Sequence, residues 1–146
     1  MNLPPGRSVQ INIFSIPSHL PVVRGAIEKM CELLGFDGEA ASGIVLSVDE
    51  ALTNVIRHAY DNADDKAIEI ELTPIGESQA EGLRIRIRDT GRVVDPQKIK
   101  SRDLKDIRPG GLGVHIIHEC MDSVEYAPRQ AGGTEMTMIK SVPTSS

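Results

Sequence analysis

The sequence predicts a single-domain α+β fold, a two-layer α/β sandwich with its helices collected on one face of a mostly antiparallel mixed sheet. Three observations carry that reading. Two stretches between residues 18 and 60 repeat apolar residues every three or four positions, as helices buried along one stripe do. Several shorter stretches alternate apolar with polar residues, as half-buried strands do. The length, 146 residues, suffices for one core of ordinary size but not two. The expected domain is 1–146, with its core at about 8–140 and a flexible tail at 141–146.

The elements follow in order. Val9 to Phe14 alternates Val9, Ile11 and Ile13 against polar or opposite-face partners, a first strand. Ser18 offers an N-cap to a helix of about four turns in which Leu20, Val23, Ile27, Met30 or Cys31, and Leu34 recur. Pro21 is tolerated in its first turn, and Gly35 is placed to end it. Asp37 caps a second helix, whose apolar stripe is Ile44, Val48, Ala51 or Leu52, Val55 and Ala59, running to about Tyr60. Residues 61–66 read as an exposed turn.

Next, Ile68, Ile70 and Leu72 alternate with Glu69 and Glu71, while Leu83, Ile85 and Ile87 alternate with Arg84, Arg86 and Arg88. The two strands form a hairpin in which Glu69 and Glu71 face the arginines, each ion pair contributing a few tenths of a kcal/mol at most. Residues 92–109 have no period and contain Pro96 and Pro109, a long mobile loop with at most a short helical turn. Gly110 to Gly113 lead into a third helix carrying Val114, Ile116 or Ile117, and Cys120 or Met121. Strands at Ser123–Ala127 and Thr134–Ile139 close the fold around a turn at Gly132 and Gly133, with a frayed tail after Lys140.

Composition excludes several functions. A net charge of -5 is the wrong sign for a generic nucleic-acid binder, and Phe14, Phe36, Tyr60 and Tyr126 are too few aromatics for a base-stacking platform. No apolar run approaches the roughly 20 residues of a membrane-spanning helix, and Met1 to Pro5 lacks the pattern of a secretory signal. Cys31 and Cys120, without CxxC spacing, read as free thiols of a reducing cytoplasm, each a small buried hydrophobe. His115 and His118 do not complete HExxH, and His19 reads as a surface residue. No GxSxG or Cys-centred nucleophile motif occurs.

Three places break the structural logic. Glu50, Asn54 and His58, spaced by four, form one polar helical stripe. Its oxygens suit a hard cation or its waters, although solvated helix faces share the pattern. Asp89 continues the inward phase of Leu83, Ile85 and Ile87, where a carboxylate costs several kcal/mol unless it is paired or hydrogen-bonded. It suits the floor of a pocket that receives an exocyclic amine, or a turn cap at the strand end, and Gly91 admits a backbone or a ligand closely. Third, Arg108-Pro109-Gly110-Gly111-Leu112-Gly113 precedes a helix, where exposed N–H groups and the helix dipole favour phosphate, though such runs also serve as hinges. The loop before it holds Arg92, Lys98, Lys100, Arg102, Lys105 and Arg108 against Asp95, Asp103 and Asp106. It is either a basic lid over a phosphate site or a solvated loop.

Together these places resemble the GHKL ATP-binding family, of the Bergerat or histidine-kinase-like ATPase fold, and within it the anti-sigma factor serine kinases. Residues 50–60, Glu-Ala-Leu-Thr-Asn-Val-Ile-Arg-His-Ala-Tyr, resemble that family's first box, ExxxNxxxHAY. Asp89-Thr90-Gly91 resembles its adenine box, residues 109–117 its glycine-rich box, and Gly133-Thr134 its closing strand. The boxes occur in order across nearly the whole chain. Arg92-Val93-Val94 follows Gly91 where the family often has a second glycine.

The resemblance implies a site for ATP and Mg²⁺. Asn54 would hold Mg²⁺, with Glu50 reaching it through water or serving as base toward an incoming hydroxyl, and Asp89 would receive the adenine amine. Thr134, in phase with Met136 and Met138, would support Asp89 directly or through water. Gly111 and Gly113 would contact phosphates, and His58, Gly91 and Leu112 complete the nucleotide-binding positions. It further implies a cytoplasmic kinase of serine or threonine on a STAS-type anti-anti-sigma antagonist, which otherwise sequesters an RNA polymerase sigma factor and acts as a homodimer without nucleic acid or membrane. The alternative is an ATP-binding anti-sigma or regulatory module without phosphotransfer; retention of Glu50 favours the kinase, because a binding module needs no base. A histidine-kinase catalytic domain is a third possibility, and no helical hairpin with a phospho-acceptor His precedes the motifs.

Overall fold

The computed structural model of the protein describes residues 3–93 and 116–143. Five strands form one sheet in the order β1-β2-β3-β5-β4: β1 (Val9–Phe14), β2 (Ala67–Ile75), β3 (Gly82–Arg88), β4 (Ser123–Pro128) and β5 (Thr134–Ser141). All four ladders are antiparallel. Helices α1 (Leu20–Leu34) and α2 (Gly38–Asn54) pack on each other, and their apolar stripes share one core with the sheet. Register explains that core. Ile70 lies opposite Ile87, Leu72 opposite Ile85, and these opposite Met136 and Met138, so one face presents an unbroken apolar patch. Ile68, Ile70, Leu72, Leu83, Ile85, Ile27 and Ile44 are fully buried.

The helix ends obey local chemistry. Gly35 closes α1 in the left-handed conformation (φ 86°), its N–H returning to the carbonyls of Cys31 and Glu32. Asp37 caps α2 by accepting the Ala40 N–H at 2.7 Å. Ser18 does not cap α1: Pro17–His19 forms a 3₁₀ turn, and the cap position belongs to His19, whose side chain makes no capping bond. His19 is half-buried, and its Nδ1 accepts the Phe14 N–H at 3.1 Å. Cys31 is buried and free, and burial pushes its thiol up to about 11. Residues 116–120 are helical, and Cys120 packs against the backbone of Gly43 on α2, where a Cβ would crowd its sulfur.

The ion pairing expected across the hairpin forms at Glu71, and the expected fraying of the tail is corrected. Arg88 stands opposite Glu69 in the ladder but bonds Glu71 (3.3 Å) and Glu135 (2.6 Å), while Glu71 also reaches Arg86 at 3.6 Å. The guanidinium lies diagonally across the sheet because β5 supplies a carboxylate on its other side. The chain after Lys140 is also held further than expected, since β5 runs to Ser141 and the Val142 N–H donates to the Glu81 carbonyl at 2.7 Å. The loop of 94–109, the glycine run at 110–113 and its helix start lie outside the described residues.

Candidate functional site

The second helix does not continue to Tyr60 as an α-helix. It widens at Val55–Ala59 into a π-turn, and the Tyr60 N–H donates to the Val55 carbonyl five residues back at 3.0 Å. After the turn, Asp61 and Asn62 take left-handed backbone conformations (φ 49° and 65°) and redirect the chain into β2.

An open-sided pocket lies between this turn and the sheet. Ala51, Val55, Ala59, Ile87, Met136 and Tyr126 form its apolar wall; Asn54, Asp89, Arg92 and Thr134 supply its polar groups. Apolar walls with a few convergent polar groups are the usual makeup of a small-molecule site. Of the sequence-predicted residues, Asn54, Asp89 and Thr134 therefore meet in one place. Glu50 and His58 are half-buried and do not line this pocket, and Gly111, Leu112 and Gly113 lie outside the described residues.

Asp89 is 3 % exposed, as its inward phase predicts. Burial pushes its carboxyl above the ordinary range, opposed by the backbone N–H groups of Gly91 and Thr134 and by the charge of Arg129. Its Oδ1 accepts the Gly91 N–H at 3.0 Å, while its own N–H continues the ladder to the Thr134 carbonyl at 3.1 Å. The support from Thr134 thus comes from its main chain. Gly91 packs on the main chain of Ala59, where any Cβ would overlap the carbonyl. The close approach that the sequence reading allowed there is by the protein's own backbone.

Asn54 differs from Asp89 in the state of its side-chain oxygen. Its Oδ1 is buried without a hydrogen bond among the described residues. An orphaned buried oxygen costs about 1–3 kcal/mol and is uncommon unless a water, ion or ligand serves it. Asn54 lines the pocket, and a neutral amide oxygen is a donor type that suits Mg²⁺ or its waters.

Three further residues shape the site. The buried Tyr60 hydroxyl accepts the Thr90 N–H at 2.8 Å and donates to the Ala67 carbonyl at 2.5 Å, tying the strand end to the start of β2. Arg129 donates to the Asp89 carbonyl at 2.8 Å. Tyr126, opposite Met136 in the ladder, turns its ring toward the pocket. Tyr126 was legible from the common phase of Val124 and Tyr126. Arg129, a lone arginine beside a glycine turn, carries no such signal.

Comparison with known proteins agrees with this architecture. The family described as histidine kinase-like ATPase domain matches residues 15–140. The serine-protein kinase RsbW of Listeria monocytogenes serotype 4a is 30 % identical over 117 residues, covering 75 % of this chain and 72 % of that protein. RsbW of Halalkalibacterium halodurans is 25 % identical over 141 residues, covering 91 % and 82 %. Among solved structures, a SiaB–SiaC complex from Pseudomonas aeruginosa matches with a TM-score of 0.64 at 12 % identity, over 90 % of this chain and 88 % of the matched one. The RsbU and RsbW domains of a Mycobacterium tuberculosis protein match with a TM-score of 0.59 at 16 % identity, over 94 % of this chain and 32 % of that one. The structural likenesses show the fold, and the match over most of the sequence shows the lineage: the chain belongs to the histidine kinase-like ATPase domain family.

Proposed function

We propose that the protein is an anti-sigma factor and Mg-ATP-dependent serine/threonine-protein kinase whose substrate is a STAS-type anti-anti-sigma antagonist. The observation that carries the reading is the buried Asp89 carboxyl and the orphaned Asn54 Oδ1 lining one pocket. The RsbW relatives bear the name serine-protein kinase, which supports phosphotransfer to a protein. The SiaB neighbour was solved with a second protein, which supports a protein partner.

When bound, Mg-ATP supplies the phosphoryl group and the cation that offsets its charge. Asp89 accepts a hydrogen bond from the adenine amine, and its Gly91 bond fixes the carboxylate's orientation. Ala51, Val55, Ile87 and Met136 exclude water from the base. The Oδ1 of Asn54 takes the cation directly or through water. Glu50, one helical turn earlier, holds the proton that the attacking hydroxyl gives up. Gly111, Leu112 and Gly113 serve the phosphates, and positioning with charge compensation does most of the catalytic work. The sigma factor, a second copy of the chain and a cytoplasmic setting complete the reading; among the described residues no helix is long and apolar enough to cross a membrane.

The test is incubation of purified protein with Mg-ATP and STAS proteins of the same genome, followed by intact mass. One STAS protein should gain a phosphoryl group. A wild-type protein that binds both ATP and a STAS protein yet never adds phosphate is a binding module instead.

A further inference from the structure

We propose that Arg92 is a positioning residue that straps the π-turn to the end of β3, and so holds Asn54 and Asp89 at a fixed separation across the pocket. This rests on the reading that the pocket takes a nucleotide. Helix C-termini leave carbonyls without internal partners. Here the amides of Tyr60 and Asn62 serve the carbonyls of Val55 and Ile56. Those of His58 and Ala59 are served by Arg92, from far along the chain: its N–H donates to the Ala59 carbonyl at 3.1 Å and its Nε to the His58 carbonyl at 2.9 Å.

The guanidinium also donates from Nη2 to Asp61 Oδ1 at 2.9 Å. Both partners of this ion pair are well exposed, 64 % and 70 %, so its Coulomb attraction is worth little. Its effect is orientation. A planar fork held by Asp61 keeps Nε aimed at the helix end, which the rotating ammonium of a lysine does not. Gly91 lets the strap lie flush on Ala59, and the Tyr60 bond to the Thr90 N–H fixes the same segment from its buried side. Asn54 sits immediately before the π-turn and Asp89 immediately before the strap, so slack here moves one wall of the pocket relative to the other.

The test uses Mg-ATP titration calorimetry on wild type, Arg92→Ala, Arg92→Lys, Asp61→Ala and the double variant R92A/D61A. Arg92→Ala should weaken binding roughly tenfold, the scale of coupling between contacting groups. Asp61 does not line the pocket, yet Asp61→Ala should weaken binding several-fold, and the double variant no further than Arg92→Ala alone. Arg92→Lys should not restore affinity. Wild-type affinity in Asp61→Ala overturns the proposal, because Arg92 would then act on the nucleotide directly or not at all. Hydrogen exchange without nucleotide is a second readout: Arg92→Ala should speed exchange at the Tyr60 and Asn62 amides about tenfold while the denaturant midpoint stays unchanged. Unchanged exchange overturns the strap even if wild type binds no ATP, an outcome that would separately sink the nucleotide reading.

Discussion

Gly133 lies against the main chain of Asp89 so closely that a Cβ there would overlap the Asp89 carbonyl and the Thr90 Cα. Its φ of +87° adds a second reason for glycine, since L side chains rarely adopt it. The β4–β5 turn is thereby pressed onto the floor of the pocket. Gly133→Ala should destabilise the fold by about 2 kcal/mol or more, read from urea unfolding. A change within about 0.5 kcal/mol would mean that the turn can move away from Asp89 at little cost.

Asp89→Asn separates stability from binding. Burial raises the folded carboxyl above its ordinary value of 3.8, so the group's contribution to folding is fully present below that value and is lost as pH rises through the raised one. Above the raised value the unliganded fold carries a buried carboxylate. Asparagine keeps an acceptor for the Gly91 N–H without the charge, so the variant should melt a few degrees higher at pH 7, and the gain should shrink toward pH 4. Its affinity for ATP should fall by about 1–3 kcal/mol. Unchanged affinity by calorimetry would remove Asp89 from the site.

Asn54→Ala should hardly change the unliganded protein, because among the described residues its buried Oδ1 has no hydrogen bond to lose. ATP binding should weaken much more with Mg²⁺ present than with chelator, since the proposed contact runs through the cation. Equal losses in the two titrations would assign Asn54 a role in the fold.

Glu50→Gln keeps the shape of the side chain and removes the proposed base. Mg-ATP binding and capture of the STAS partner should remain normal, while phosphotransfer slows by about 10²- to 10⁴-fold in a quenched time course. Full activity in this variant would leave positioning, without a base, as the source of the rate.

Much of this was legible because its signals are local. Period-two phase identified Ile68, Ile70, Leu72, Leu83, Ile85 and Ile87 as core and carried Asp89 inward with them. Asp37 and Gly35 announced the helix ends because cap chemistry depends on a few adjacent residues. The π-turn was not legible, since its carbonyls are satisfied by Arg92 and Asn62, whose positions depend on tertiary structure. Ser18 misled for a similar reason: Pro17–His19 tightens into a 3₁₀ turn and His19 turns back toward β1. The arginines of β3 found carboxylates on β5 as well as β2, a neighbour that spacing along the chain does not reveal.

The strand order also governs when the pocket comes into being. β5, the last strand along the chain, inserts between β3 and β4, and the Asp89 N–H, the Thr134 wall and the Arg129 contact all depend on that insertion. Helices α1 and α2 and strands β1, β2 and β3 use only earlier residues. During synthesis, which proceeds from the N-terminus, those elements emerge while the pocket still lacks its far wall. If the pocket takes the proposed nucleotide, its recognition should be a late event in folding, and nucleotide should not rescue a nascent chain that has not delivered β5.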